Sequence, residues 1–276
     1  MVIAAYRLSI ASVVIGIFTL RKSLLEMRLL SKNQWITITI AGILLAVHFA
    51  VWITSLEYTS VASSVVLVTT TPIWVALLSP LILYEKINRF ILVGLIIAML
   101  GVFVLTLSST CQFHGMKFVC DTHKIMANGG NIYGNFLALM GAWAAAGYVM
   151  AGRKIRQKTT LATYTFLVYS ISALLLIGLA MITHNSLVGY WPDSMIWLIL
   201  LALIPQVVGH SALNWALGSL PAAFVSIALL GEPIGSSLLA WLFLNEEPTF
   251  LEIFGAILIL LGILLSARFW KGGKSI

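Results

Sequence analysis

Charged side chains are scarce in this sequence. Asp, Glu, Lys and Arg together make up 9% of the 276 residues, against about 25% in a typical soluble domain. Apolar residues make up 61%, so the chain has too few polar groups to cover a surface that faces water. This composition excludes a water-soluble enzyme, a DNA-binding protein and a secreted disulfide scaffold, and it indicates an integral membrane protein.

The apolar residues are arranged in long uninterrupted stretches. A helix needs roughly 20 residues to cross about 30 Å of hydrocarbon, and nine stretches reach that length. The sequence therefore predicts an all-α fold, a polytopic bundle of nine transmembrane helices. The predicted spans are Val2–Leu20, Trp35–Ser55, Val61–Leu83, Phe90–Leu107, Tyr133–Gly152, Leu161–Thr183, Met195–Gly218, Pro221–Leu244 and Phe250–Phe269.

The basic residues are concentrated after the odd-numbered spans. Basic residues in short loops mark the cytoplasmic face of a membrane protein, so the net charge of +7 indicates topology and not nucleic-acid binding. We expect a cytoplasmic C-terminus and an external connection over Ser108–Ile132. The basic groups are Arg21, Lys22, Arg28 and Lys32; Lys86 and Arg89; Arg153, Lys154, Arg156 and Lys158; and Arg268, Lys271 and Lys274.

The sequence contains an internal repeat. A shift of 161 residues places several motif residues of the first half on equivalents in the second half. The predicted topology puts Glu85 and its equivalent Glu246 on opposite sides, so the two copies are inverted, as in many secondary transporters. The matched positions are Thr71-Pro72 with Glu232-Pro233, Glu85 with Glu246, Gly94 with Gly255, and Gly101 with Gly262.

The two copies differ in their number of spans. We assign residues 1–109 to the first copy, 110–131 to an extracytoplasmic loop and 132–276 to the second copy. The second copy has five predicted spans and the first has four. The pattern therefore predicts a first helix that precedes Met1, although a true nine-span protein stays open.

These motifs resemble those of the EamA-type transporters of the drug/metabolite transporter superfamily. The resemblance implies a ten-helix secondary carrier with a cavity between its halves, of which this chain would match helices two to ten. It rests on the Arg in Tyr6-Arg7-Leu8, the small residues of Thr59–Ser64, the two mid-span prolines, and the Glu and Gly-x6-Gly that follow each proline.

Glu232 is the strongest candidate for a functional residue. It lies about 18 Å from the outer end of the eighth span at 1.5 Å per residue, close to the middle of the bilayer. An ionisable group at that depth is a functional candidate, and its neighbour Pro233 withholds a backbone donor. We expect Glu232 to bind a polar solute or a proton, while a structural pairing with another helix stays open.

Arg7, His48 and His210 are further candidates for binding solute or protons. Arg7 lies about 7–8 Å from the outer edge, where its side chain either reaches the headgroups or turns inward. Histidine changes charge in the physiological range, and His48 and His210 lie in repeat-related spans. Packing roles stay open for both. No metal-ligand spacing joins them, so we expect no metal and no cofactor.

Other mid-span residues suit a pocket or a kink. Trp52, Asn214 and Tyr148 are of the types that line an apolar pocket with a few polar groups, although Trp and Tyr also anchor helices at membrane interfaces. Pro72 and Pro233 are expected to kink the third and eighth spans.

The external loop contains two cysteines and two histidines. Cys111, His114, Cys120 and His123 read C-x2-H-x5-C-x2-H, a spacer shorter than in usual zinc fingers. A Cys111–Cys120 disulfide is favoured because the outside is oxidising. Free thiols and a metal site stay open.

The predicted function is secondary active transport of a small organic metabolite, such as an amino acid, a drug or a related solute. The mechanism would be alternating access, with export favoured and protons as a candidate coupling ion. No G-x4-G-K-[ST] motif is present, which excludes ATP hydrolysis by a P-loop in this chain. The alternatives are a facilitative channel or uniporter and, less favoured, a membrane-embedded enzyme.

The expected partners are the small solute and membrane lipid, without nucleic acid. The expected location is a prokaryotic plasma membrane, with the chain as a monomer or homodimer. We expect no catalytic residues.

Overall fold

The computed structural model describes residues 1–108, 111–114, 117–120, 132–190, 192 and 194–268. Within these ranges the chain is helical apart from connections and one short hairpin. The first part forms α1 (Val2–Met27), α2 (Lys32–Tyr58), α3 (Val61–Val68), α4 (Thr71–Ile82) and α5 (Arg89–Leu107), followed by strands β1 (Cys111–His114) and β2 (Lys117–Cys120). The second part forms α6 (Ile132–Arg156), α7 (Leu161–Ile182), α8 (Met195–Leu201), a π-helical segment (Ala202–His210), α9 (Ser211–Ala216), α10 (Ala222–Ala228), a 3-10 turn (Leu229–Gly231), α11 (Glu232–Leu244) and α12 (Phe250–Ala267).

The predicted membrane spans are confirmed. In the described ranges, nine helices or continuous helical segments are long and apolar enough to cross a membrane. They coincide with the nine predicted stretches, with ends that differ from the predicted ones by a few residues in either direction. The all-α class is confirmed as well, with the two-stranded hairpin as a small addition.

Short polar side chains start several of these helices. Asn88 accepts hydrogen bonds from the backbone N–H groups of Phe90 and Ile91 at 2.9 and 3.0 Å. Thr249 and Glu252 form a reciprocal capping box at the start of α12. Such caps pair N–H groups that have no partner inside the helix, and they explain why the apolar runs begin at these residues.

The third and eighth spans are broken at equivalent positions. The third span is interrupted after Val68, where the Thr69 and Thr70 hydroxyls donate to carbonyls of the preceding turn, and α4 begins at Thr71. The eighth passes through the 3-10 turn before α11 begins at Glu232. Pro72 and Pro233 each fall in the first turn of the new helix, where a missing N–H costs little.

The chain divides into two compact units. Unit one comprises Met1–Thr54 and Trp143–Pro221, and unit two comprises Ser55–Ala142 and Ala222–Ile276. Each unit therefore combines helices from both sequence copies.

In unit one, α1 packs along α7 in antiparallel orientation. The hydroxyls of Ser12 and Ser170 lie 2.6 Å apart, and Gly16 faces the ring of Phe166. At the far end of α1, the Glu26 carboxylate accepts hydrogen bonds from the backbone N–H and hydroxyl of Thr160. The basic residues at or near the C-terminal ends of α1 and α6 consequently share one end of unit one.

In unit two, α5 packs along α12, also in antiparallel orientation. Gly94 faces Gly262 and Gly101 faces Gly255, and a Cβ built on Gly94 would stand 2.5 Å from the carbonyl oxygen of Gly262. These are the two repeated Gly-x6-Gly stretches, and small residues let helix backbones approach closely. The α5–α12 pair thus joins the two repeated stretches, and antiparallel pairing is the arrangement that inverted copies predict.

The hairpin pairs Cys111 with Cys120 in an antiparallel register, and a disulfide joins the two residues. The side chain of His114 and the whole of His123, the other two residues of the alternative metal site, lie outside the described residues. So do the basic residues Lys271 and Lys274.

Candidate functional site

Unit one holds a group of polar and aromatic side chains that come from six helical elements. We call this group the polar cluster. Its members are Arg7 from α1, His48, Phe49 and Trp52 from α2, Tyr148 from α6, Tyr169 from α7, Gln206 and His210 from the π-helical segment, and Asn214 from α9.

The π-helical segment places two of these side chains. Pro205 lies inside it, and because proline has no backbone N–H it interrupts the regular helical ladder. Wider π-helical turns are frequent at functional sites. Here the wide turn carries Gln206 and His210, and the Gln206 side chain is fully buried.

Arg7 points toward the π-helical segment. Its Nε–H donates to Oε1 of Gln206 at 2.7 Å, and its guanidinium carbon lies 4.6 Å from the centre of the Phe49 ring. A cation over an aromatic face is attracted by the ring quadrupole. The sequence left two orientations open for the Arg7 side chain, toward the headgroups or inward. In the structure the side chain contacts other helices of unit one.

Both histidines contact aromatic rings of α2. His48 stacks on Trp52 with ring centres 5.7 Å apart and planes inclined by 18°. The His210 ring lies 5.6 Å from that of Phe49 and 6.4 Å from that of Tyr148. The helices thus bring together residues that are more than 140 positions apart in sequence.

A chain of buried hydrogen bonds supports the cluster. The Tyr148 hydroxyl donates to Oδ1 of Asn214 at 2.8 Å, and Nδ2 of Asn214 donates to the Tyr169 hydroxyl at 3.3 Å. Ser211 Oγ lies 3.5 Å from that hydroxyl. Buried polar groups cost free energy unless they are paired. These hydrogen bonds therefore fix the positions of α6, α7 and α9 around the cluster.

Two arginines in the last turn of α6 bind backbone carbonyls at the end of α9. Arg153 Nη1 donates to the carbonyl of Leu217, and Arg156 Nε donates to that of Asn214, both at 3.0 Å. Cations stabilise the unpaired carbonyls of a helix C-terminus. The sequence indicated only a topological role for these residues, and the structure adds a structural one.

Glu232 is not a member of the polar cluster. It belongs to unit two, whereas all cluster residues belong to unit one. It is the first residue of α11, directly after the 3-10 turn, and its side chain is exposed. Of the predicted solute- or proton-binding residues, the structure brings together Arg7, His48, His210, Trp52, Asn214 and Tyr148.

Sequence reasoning missed Gln206, Tyr169 and Phe49. Gln206 could have been found from the sequence, because a polar amide inside an apolar membrane span costs free energy and therefore marks a functional candidate. Tyr169 and Phe49 carry no local signal, because an aromatic residue in an apolar helix is ordinary. No group of three or more His, Cys, Asp or Glu side chains among the described residues is placed to hold a metal.

Comparison with known proteins identifies the fold and the family. A profile described as the EamA-like transporter family matches residues 1–107 and 132–268. An uncharacterized transporter of Archaeoglobus fulgidus is 22% identical over 238 residues, which cover 86% of this chain and 77% of that protein. The uncharacterized transporter YdfC of Bacillus subtilis is 24% identical over 266 residues, covering 95% and 79%.

A solved structure supports the fold. One crystal structure superimposes with a TM-score of 0.77 at 15% sequence identity, covering 99% of this chain and 89% of the other. At that identity the similarity concerns the fold alone.

Proposed function

Because this chain belongs to the EamA-like transporter family, we propose that it is a secondary active carrier that exports a small organic metabolite by alternating access. Family membership and the nine apolar helices found among the described residues make it an integral membrane transporter. The proposal adds to this the mechanism of alternating access, the direction of export and an energy source other than ATP.

The polar cluster is the observation that carries this proposal. Ligand sites are largely apolar with a few placed polar groups, and in membrane helices buried polar side chains mark solute pathways. Arg7, Gln206, His210 and Asn214 meet among aromatic rings inside unit one. We assign solute binding to this cluster.

The helix breaks support a carrier mechanism. Discontinuous helices at the interface of inverted repeats commonly form the substrate and ion sites of secondary transporters. The breaks ahead of Pro72 and Pro233 occur at repeat-related positions. Glu232 begins the helix after the second break, which makes it the candidate for exchanging a coupling proton.

The basic residues support a cytoplasmic C-terminus. Lys86 and Arg89 precede or begin α5, and Arg268 ends α12. The antiparallel packing of α5 and α12 puts these residues at the same end of unit two. Basic residues that share one end agree with the positive-inside rule.

Flux measurements in proteoliposomes test the proposal. The purified chain is reconstituted, and radiolabelled amino acids, nucleobases, sugars and quaternary amines are supplied one at a time. A carrier gives saturable uptake that accelerates when the same unlabelled solute is preloaded on the opposite side. Flux that neither saturates nor accelerates would indicate a channel, and a chemically altered solute would indicate an enzyme.

A variant links the flux to the cluster. Asn214→Leu should reduce uptake because it removes the amide that joins Tyr148 to Tyr169. Asn33→Leu, at an exposed position at the start of α2, is the matched control and should leave uptake unchanged. Equal flux in both variants would remove the cluster from the transport path.

A further inference from the structure

Six positively charged side chains are exposed at one end of unit one, and we call this surface the basic end. One part of it is the C-terminal end of α1 with the start of α2, and the other is the end of α6 with the connection to α7. The Glu26 carboxylate joins the two parts, because it accepts a hydrogen bond from the backbone N–H of Thr160 at 2.8 Å. The six exposed residues are Arg21, Lys22, Arg28, Lys32, Lys154 and Lys158.

The charge of the basic end is not neutralised within unit one. Among the described residues of that unit, Glu26 is the only acidic one, and its carboxylate also accepts from the hydroxyls of Thr160 and Thr163. Over the same described residues, the six exposed side chains form no hydrogen bond or ion pair. The other two cations at this end, Arg153 and Arg156, donate to carbonyls at the end of α9. The excess positive charge therefore faces the surroundings.

The length of α1 places the basic end at the level of the lipid headgroups. Its 26 residues extend about 39 Å, whereas the hydrocarbon of a membrane is about 30 Å thick. The exposed cations of α1 and its C-cap, which are Arg21, Lys22 and Arg28, all lie toward its C-terminus. The excess length of the helix consequently lies at that end, beyond the hydrocarbon.

Exposed leucines are interspersed with these cations. Leu24, Leu25 and Leu29 are 47, 61 and 83% exposed, although they follow Arg21 and Lys22 in the chain. A polyanion dissolved in water would pair with the cations and leave the leucines in contact with water, which is unfavourable. A phospholipid offers both kinds of contact, because its phosphate lies at the end of its acyl chains. Cations mixed with exposed leucines are typical of a segment at the boundary between headgroups and hydrocarbon.

We propose that the basic end binds the phosphate headgroups of anionic phospholipids in the leaflet that it faces. Clusters of about four to eight Lys and Arg next to the end of a transmembrane helix recognise anionic lipids, and the long stems of these side chains pack on apolar surface while the charge reaches the headgroup. The lipid phosphate supplies the negative charge that this end of unit one lacks. The inference goes beyond the proposed function and does not depend on the solute, the direction or the mechanism of transport.

Two lipids that differ in headgroup charge test the inference. The full chain is purified in detergent, and its binding of phosphatidylglycerol and of phosphatidylcholine with identical acyl chains is measured by native mass spectrometry. A cation near an anionic lipid surface contributes about 1 kcal/mol, which is about fivefold in affinity. We therefore expect phosphatidylglycerol to bind at least about tenfold more tightly than phosphatidylcholine.

Paired substitutions test the two parts of the basic end. Arg21→Gln combined with Lys22→Gln, and Lys154→Gln combined with Lys158→Gln, should each reduce the preference for phosphatidylglycerol by about fivefold or more. Arg21→Lys combined with Lys22→Arg keeps the charge and should keep the preference. These measurements use purified protein that is already inserted and folded, so a role of the cations in topology alone would not change them.

A second control removes the same charge from unit two. Lys86 and Arg89 are exposed and belong to unit two, so Lys86→Gln combined with Arg89→Gln should keep the preference for phosphatidylglycerol. An equal loss in this control would mean that total charge sets the preference and would overturn the inference.

Three further results would also overturn the inference. They are equal affinity for the two lipids, an unchanged preference in both paired variants, and displacement of bound phosphatidylglycerol by an equal concentration of glycerol 1-phosphate. The last result would indicate a site for a free phosphate compound. We expect no such displacement, because the soluble headgroup has no acyl chain to cover the exposed leucines.

Discussion

Gly101 and Gly255 contact each other reciprocally where α5 crosses α12. A Cβ atom on Gly101 would stand 2.7 Å from the carbonyl oxygen of Gly255, and a Cβ on Gly255 would stand 2.7 Å from that of Gly101. Each lies in its own copy of the Gly-x6-Gly motif, so the repeated motif packs against its own counterpart in an antiparallel pair.

The glycine contact predicts a position-specific effect on stability. Gly101→Ala should destabilise the protein by about 1–3 kcal/mol, because the new methyl group meets backbone atoms, which cannot turn aside as a side chain does. Gly235→Ala should be neutral or stabilising by up to about 1 kcal/mol, since nothing lies within 4 Å of a Cβ at that position. Thermal unfolding in detergent measures both. Equal unfolding temperatures for the two variants would contradict the packing of α5 on α12.

The same antiparallel pair predicts the sidedness of two loops. Lys86 precedes α5, and Glu247 precedes α12, so these two exposed residues should face opposite compartments. Lys86→Cys and Glu247→Cys are made separately in a background in which Cys111 and Cys120 are replaced by serine. A maleimide that does not cross membranes should label Glu247→Cys from outside intact cells and Lys86→Cys only after permeabilisation. Labelling of both from the same side would exclude inverted copies.

The proposed role of Glu232 predicts that its replacement by Gln removes the coupling of transport to protons. Glu232→Gln removes the exchangeable proton while keeping the size of the side chain, so we expect uptake to be abolished or to become independent of a pH gradient. Membrane insertion should be intact, as measured by yield and size-exclusion profile. Glu247→Gln is the control, because that carboxylate is exposed in the loop before α12. A Glu232→Gln variant that transports like wild type on both sides of neutral pH would remove the residue from the mechanism.

The hydrogen-bond chain through Asn214 predicts coupled losses of stability. Tyr148→Phe and Asn214→Leu each break the 2.8 Å bond between these residues, and each should lower the free energy of unfolding by about 1 kcal/mol. Because both variants break the same bond, the double variant should lose less than the sum of the two. Denaturant unfolding of the four proteins measures the coupling. Strict additivity would show that the bond contributes nothing.

The sequence by itself determined the class and the nine spans found in the described ranges, and it predicts the repeat. These follow from local physics, because hydrocarbon tolerates only long apolar segments with internally paired backbones, and such segments are visible as runs. Pro72 and Pro233 also mark the two spans that are broken, because each lies in the first turn of the helix that follows its break.

Only the tertiary structure decided which side chains meet. Arg7 and Gln206 are 199 residues apart, and no periodicity within a span indicates which face of one helix turns toward a given face of another. The same holds for Gly101 and Gly255, which lie in different copies of the repeated motif and meet only in the folded chain. In a chain in which nearly every surface is apolar, hydrophobicity does not select the contacts. The contacts between helices are selected by the close approach of small residues and by the pairing of a few polar groups. Both depend on how the helices are assembled.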